Sequence, residues 1–118
     1  LCVCGGFLEG KKIAAVAEAN YVTVAPHNPL GLSSTAVSVH FAACIPHFLI
    51  LEYHGDHAKP KAQFIDDHEP WKPVDGYFQL PTRPGLGMEL NLDAIKNNPP
   101  IHWNRGFHSY LDGTPAFL

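Results

Sequence analysis

Two side chains of complementary chemistry stand at matching places in this sequence. His27 follows the β-branched run Tyr21-Val22-Thr23-Val24-Ala25, inside Pro26-His27-Asn28-Pro29. Glu52 follows a second apolar run, Phe48-Leu49-Ile50-Leu51. In a parallel sheet, side chains at the carboxyl ends of strands point into the ligand crevice. An imidazole that titrates near neutrality, set beside a carboxylate, is suited to moving protons. Read alone, His27 could equally be a structural loop histidine, and Glu52 a solvated strand-end carboxylate. Their equivalent positions on successive strands are what point to chemistry.

The elements that would hold them alternate. Leu1-Cys2-Val3-Cys4 reads as the end of a strand, and Gly5-Gly6 releases the backbone into a turn. Leu8 to about Asn20 has strongly helical composition, with Ile13, Val16, Ala17 and Asn20 on one stripe and Lys11, Lys12 and Glu18 largely off it. The run 21–25 shows little polar alternation, as expected for a strand buried on both faces. Pro26 and Pro29 prevent an immediate helix. Ser33, Ser34 or Thr35 can then cap a helix from Ala36 to about Ile45, which Pro46 stops. Phe48 to Tyr53 is the third strand. This βαβαβ order implies right-handed crossovers and three neighbouring parallel strands, an α/β class.

Beyond His54 the composition shifts towards Pro, Gly, Asp and His. Two short ordered pieces are expected there: a strand around Tyr77-Phe78-Gln79-Leu80 after the Asp75-Gly76 turn, and a helical turn from Leu92 to Lys96. Trp71, Trp103, Phe107, Tyr110 and Phe117 are too many aromatics for a free linker and should pack on something. The chain thus divides into residues 1–56, strand and helix, and residues 57–118, an irregular carboxy-terminal extension.

The 118 residues are 46% hydrophobic and 16% charged, which marks globular material. A net charge of −3 without a basic cluster argues against nucleic acid and anionic membranes. The apolar stretches are shorter than a transmembrane helix requires. With no signal peptide in view, a cytoplasmic location is expected. Cys2, Cys4 and Cys44 are an odd set, and the first two are poorly placed to bond to each other. Buried free thiols are the simplest expectation.

Three parallel strands and two helices leave strand edges unpaired and one sheet face largely uncovered. A closed barrel of this type needs eight strands. The chain begins at Leu1 within what reads as a strand, so we expect the last part of a larger, truncated fold.

Three segments then resemble the enolase superfamily: Gly5-Gly6-Phe7-Leu8-Glu9-Gly10-Lys11-Lys12-Ile13-Ala14-Ala15-Val16-Ala17-Glu18-Ala19, Ala25-Pro26-His27-Asn28-Pro29-Leu30-Gly31, and Ile45-Pro46-His47-Phe48-Leu49-Ile50-Leu51-Glu52-Tyr53. The stretch Leu80-Pro81-Thr82-Arg83-Pro84-Gly85-Leu86-Gly87-Met88-Glu89-Leu90 is similar to the tail after the barrel. Within the superfamily the mandelate racemase and muconate lactonizing group fits, and the chain looks most like sugar-acid dehydratases of the galactonate type. The resemblance covers residues 1 to about 97.

It implies a modified TIM-type (β/α) barrel with an amino-terminal capping domain. Leu1–Cys4, His27 and Glu52 would then end strands six, seven and eight, and the extension would pack on the barrel or cap. It implies a Mg²⁺-assisted reaction in which a proton leaves the carbon next to a carboxylate and water is then eliminated. His27 matches the histidine that exchanges that proton. Glu52 matches the acid that hydrogen-bonds the developing oxyanion, a role that needs a raised pKa. The resemblance places the supporting aspartate of strand six, three metal-ligating carboxylates, the acid for the leaving hydroxyl and the capping domain upstream of Leu1. No metal ligand is therefore assigned in this chain, and the isolated polypeptide is expected to be inactive. The implied partner is a small sugar acid, and the parent is expected to be a homo-oligomer.

Other readings stay open. A 2-hydroxy-acid racemase or epimerase would use the same histidine. A non-catalytic remnant could pair its strand edges with a partner. Glu52, His54, Asp56 and His57 resemble a metal cluster, but they straddle a strand end and the Gly55 turn and need not converge. His40 reads as a half-buried residue with a satisfied ring, and His47, His68, His102 and His108 acquire no role.

Overall fold

The computed structural model describes residues 1–55, 57, 60–67, 71–101 and 110–114. Three α-helices occur among them, α1 (Gly6–Ala19), α2 (Leu32–Ala42) and α3 (Leu92–Asn97), with a 3₁₀ turn at Lys61–Phe64.

The seventh and eighth strand positions expected from the resemblance run side by side. Val24 and Phe48 form a parallel bridge. The Val24 N–H donates to the His47 carbonyl at 3.0 Å, and the Leu49 N–H donates to the Val24 carbonyl at 2.9 Å. The Glu52 N–H reaches the Pro26 carbonyl at 3.4 Å, carrying the register to the site. The two segments, joined through a helix, make one parallel crossover unit, but the strands expected at 21–25 and 48–53 reduce to that single bridge. Tyr21 sits in a turn at φ 56° and is 99% exposed. The run is therefore not buried on both faces, because no third strand or second covering layer packs on it among the described residues.

The expected first strand is absent: residues 1–5 form a turn, closed by the Gly6 N–H donating to the Leu1 carbonyl at 3.0 Å. Gly5 (φ 107°) and Gly6 (φ 81°) both lie in the left-handed region that glycine tolerates. The cysteine expectation also needs correction, because Cys2, Cys4 and Cys44 are free but exposed.

Two further expectations shift. On α1 the buried residues are Gly10 and Ala14, while Ile13 and Val16 of the expected stripe are 54% and 67% exposed. Gly10 is where α1 meets its neighbours: a Cβ there would collide with the Leu1 side chain and approach the Phe41 ring to 3.2 Å. α2 starts at Leu32, four residues before the expected Ala36, and its N-cap is Gly31 without a side-chain cap. Ser34 and Thr35 lie buried inside the helix instead of capping it.

Two apolar clusters support the unit. Leu32, Ala36 and Val39 of α2 pack with Ala62, Ile65 and Trp71 of the extension, flanked by Leu51, Phe78, Leu86 and Met88. Ala14, Phe41 and Ile45 form the second, with Leu1 and Val24 beside them. Trp71 is 1% exposed, as an aromatic anchor should be, whereas Tyr110 is exposed. Trp103, Phe107 and Phe117 lie outside the described residues. The Asp75-Gly76 turn joins Val74 to Tyr77 by reciprocal 2.9 Å hydrogen bonds, with both turn residues at positive φ. The strand expected at 77–80 is limited to that one bridge. The helical turn at 92–96 is α3, and the Asn91 side chain accepts from the Ala94 N–H at its start.

The accessible surface is 8886 Å², against about 6300 Å² for a compact monomer of this mass. Phe48, Leu49 and Ile50 are exposed along the outer strand segment. Among the described residues no helix is long and apolar enough to cross a membrane.

Candidate active site

Pro26 and Asn28 are buried on either side of His27, whose ring is left 74% exposed at the end of its strand segment. Between Pro26 and Pro29 the backbone takes no regular secondary structure, and the two prolines keep it from coiling into a helix. Glu52 comes level with it because the parallel register continues to the Glu52 N–H. The two side chains meet: His27 Nδ1 lies 2.5 Å from Glu52 Oε2.

Two partners that the sequence reading did not assign complete the arrangement. The Asn28 backbone N–H donates to Glu52 Oε2 at 3.0 Å. His54 Nε2 lies 2.7 Å from Glu52 Oε1. Each carboxylate oxygen therefore faces an imidazole, and one also accepts from the backbone. The His54 contact was legible in spacing, since residues i and i+2 of an extended segment share a face. Asn28 gave a weaker signal, a lone amide between strand and helix with a hydroxyl residue at position 35.

These contacts hold the Glu52 carboxyl below its ordinary value of 4.5. The His54 hydrogen bond is the largest cause, followed by the Asn28 N–H; partial loss of solvation opposes them, and His27 adds to them. A raised pKa was expected, so this is a correction. Its cause is direct: every close partner stabilises the anion.

Among the described residues, the members of the suspected cluster around Glu52 do not converge. His54 turns to Glu52, whereas His57 Nδ1 pairs with the Tyr53 hydroxyl at 2.5 Å, and Asp56 lies outside the described residues. Among the described residues no three His, Cys, Asp or Glu side chains could hold an ion. Mg²⁺ asks for several oxygen ligands in octahedral order, and the Glu52 oxygens are already engaged. These residues do not make a Mg²⁺ site. His40 behaves as expected, half-buried with Nε2 at 3.2 Å from the Leu86 carbonyl. His68, His102 and His108 lie outside the described residues.

Comparison with known proteins decides the family. Residues 1–94 match the model of the family described as "Enolase C-terminal domain-like". The chain belongs to that family. It is 36% identical over 119 residues to the D-galactonate dehydratase of Xanthomonas campestris pv. campestris, covering 95% of this chain and 31% of that protein. The D-xylonate dehydratase of Haloferax volcanii is 36% identical over 92 residues, 78% of this chain and 22% of the relative. Among solved structures, an enolase from Agrobacterium radiobacter, proposed to be a galactarate dehydratase and bound to sodium and L-malate, superposes with a TM-score of 0.78. It is 40% identical, with 97% of this chain and 32% of that chain covered. A protein from Burkholderia xenovorans proposed to be an L-alanine-DL-glutamate epimerase gives a TM-score of 0.72 at 34% identity, covering 81% of this chain and 24% of its own. The chain thus spans less than a third of the length of these relatives. The likeness to these enzymes is a property of the unit, while its described elements are three α-helices, a 3₁₀ turn, one parallel bridge and two antiparallel bridges, Ile65–Leu90 and Val74–Tyr77.

Proposed function

We propose that this chain is the carboxy-terminal part of a sugar-acid dehydratase of the galactonate type. The observation that carries the reading is the His27–Glu52 contact at the ends of two parallel-paired segments, in a chain similar to several sugar-acid dehydratases. With Nδ1–H directed at the Glu52 anion, the Nε2 lone pair of His27 is left to act as a base. The α C–H bond of the sugar acid breaks, its proton passes to His27, and its electron pair moves towards the adjacent carboxylate. The β C–O bond then breaks, and the hydroxyl leaves as water after protonation by an acid from the rest of the protein. Glu52 fixes the tautomer and direction of His27. The role expected of it, donation to the oxyanion, requires a proton that its present neighbours disfavour.

The divalent cation generally used in the superfamily would be held by carboxylates outside this chain. The assignment of residues 1–56 to the barrel and 57–118 to an extension belongs to this proposal, as does a homo-oligomeric parent. The isolated 118-residue chain is expected to be inactive.

A second reading is a 2-hydroxy-acid racemase or epimerase. The likeness to the B. xenovorans protein favours keeping it, because a strand-end histidine serves either outcome. A panel of sugar acids incubated with the full-length polypeptide separates them by NMR. A dehydratase yields a 2-keto-3-deoxy acid, an epimerase returns substrate with its α-carbon inverted, and His27→Asn should remove either. Absence of both products with every acid contradicts the enzyme readings and leaves the remnant that pairs its edges with a partner.

A further inference from the structure

Asn28 is fully buried, yet the His27–Glu52 pairing makes no use of its side chain. Its Nδ2 donates to Thr35 Oγ1 at 2.9 Å and to the Glu52 carbonyl at 3.2 Å. Thr35, also fully buried, passes its own hydroxyl proton to the Gly31 carbonyl at 3.2 Å. Through its backbone, Asn28 is bonded to His27 and donates to Glu52 Oε2. One residue thus ties three things together: the loop that presents His27, the first turn of α2, and both the main chain and the carboxylate of Glu52.

The arrangement is not what packing alone would select. A buried amide loses its hydration, and Asn28 Oδ1 regains no partner among the described residues. An aliphatic residue would fill the space without that cost but could not span from α2 to the Glu52 main chain. Pro26 and Pro29 limit how the loop bends, yet neither has an N–H with which to fix Glu52. The amide of Asn28 therefore adds a second tie to the backbone register that brings Glu52 level with His27.

We propose that Asn28, seated on Thr35, is a positioning residue that holds Glu52 against His27. This rests on the proton-abstraction reading and deepens it. Asn28 touches no reacting atom in this scheme; it acts through Glu52 on His27, the residue that does.

The test uses the full-length polypeptide and its Asn28→Ala, Thr35→Val and Thr35→Ser variants. Turnover of galactonate is measured alongside the downfield NMR signal of the His27 Nδ1–H and the thermal midpoint. Asn28→Ala is expected to lower kcat by about 30- to 100-fold, the scale of a misplacement near 1 Å, with KM within about threefold. The downfield signal should disappear with it. Thr35→Val should lower kcat by about tenfold, and Thr35→Ser, which keeps the oxygen, should stay within about threefold of the parent. If Asn28→Ala does not fold, the Thr35 pair decides by the same readouts. The proposal is overturned if the variants lose thermal stability while kcat and the His27 signal stay as in the parent. Should the parent turn over no sugar acid, the functional reading fails, and the NMR signal still decides the role of Asn28.

Discussion

α1 and α2 have similar apolar composition and nearly opposite fates. α2 buries seven of its eleven residues, between the paired segments and the extension. α1 buries two of fourteen, both small, and leaves Ile13 and Val16 in solvent. The site hangs from α2, because Asn28 docks on Thr35 and brings both partners of the His27–Glu52 pair with it. The rim where His27 and Glu52 meet is therefore assembled by contacts within this chain. The α1 side contributes chiefly through Gly10 and Ala14.

The largest effect should come from breaking the α2 side. Trp71→Ala empties the centre of the cluster that joins α2 to the extension and should cost about 3–5 kcal/mol. In urea unfolding of the full-length polypeptide, Ile13→Ser on α1 should cost far less, provided Ile13 stays as exposed there as it is here. Comparable losses would refute the contrast for the complete protein and place a packing partner over α1.

A smaller effect should appear at the one close approach of α1. Gly10→Ala gains helix propensity but drives a methyl into Leu1 and Phe41, for a net loss of about 1 kcal/mol in the same experiment. Unchanged or improved stability would mean that the crossing has room to relax.

How much of this was legible divides along the same line. The parallel pairing could be read because 21–25 and 48–51 are apolar runs set apart by helix-length segments and punctuated by prolines. His27 and Glu52 could be placed because a strand end fixes where a side chain points. The start of α2 could not, because Ser33, Ser34 and Thr35 invite a capping role and only the tertiary demand of Asn28 explains why Thr35 is internal. The α1 stripe misled for a related reason: helical periodicity identifies an apolar face but not what lies against it. Leu1–Cys4 has strand composition, yet two glycines at positive φ close it into a turn. The direction of the Glu52 pKa is not legible in sequence, because it depends on His54 and Asn28 reaching the carboxylate in the folded chain.

That last point gives the finest prediction. Glu52 is held below 4.5, chiefly by His54, so its contribution to stability is present above that value and lost as pH falls through the lower folded value. Titrating the Glu52 side-chain carbon by NMR should show His54→Ala moving the midpoint back up towards 4.5. An unmoved midpoint would assign the effect to Asn28 and His27 instead.

The central claim is that His27 takes the α-proton while Glu52 directs it. Solvent deuterium incorporation at the α-carbon of galactonate, measured with the full-length polypeptide, reads that step apart from water loss. His27→Asn should reduce incorporation by about a thousandfold with binding preserved. Incorporation at the parent rate in His27→Asn would contradict the account.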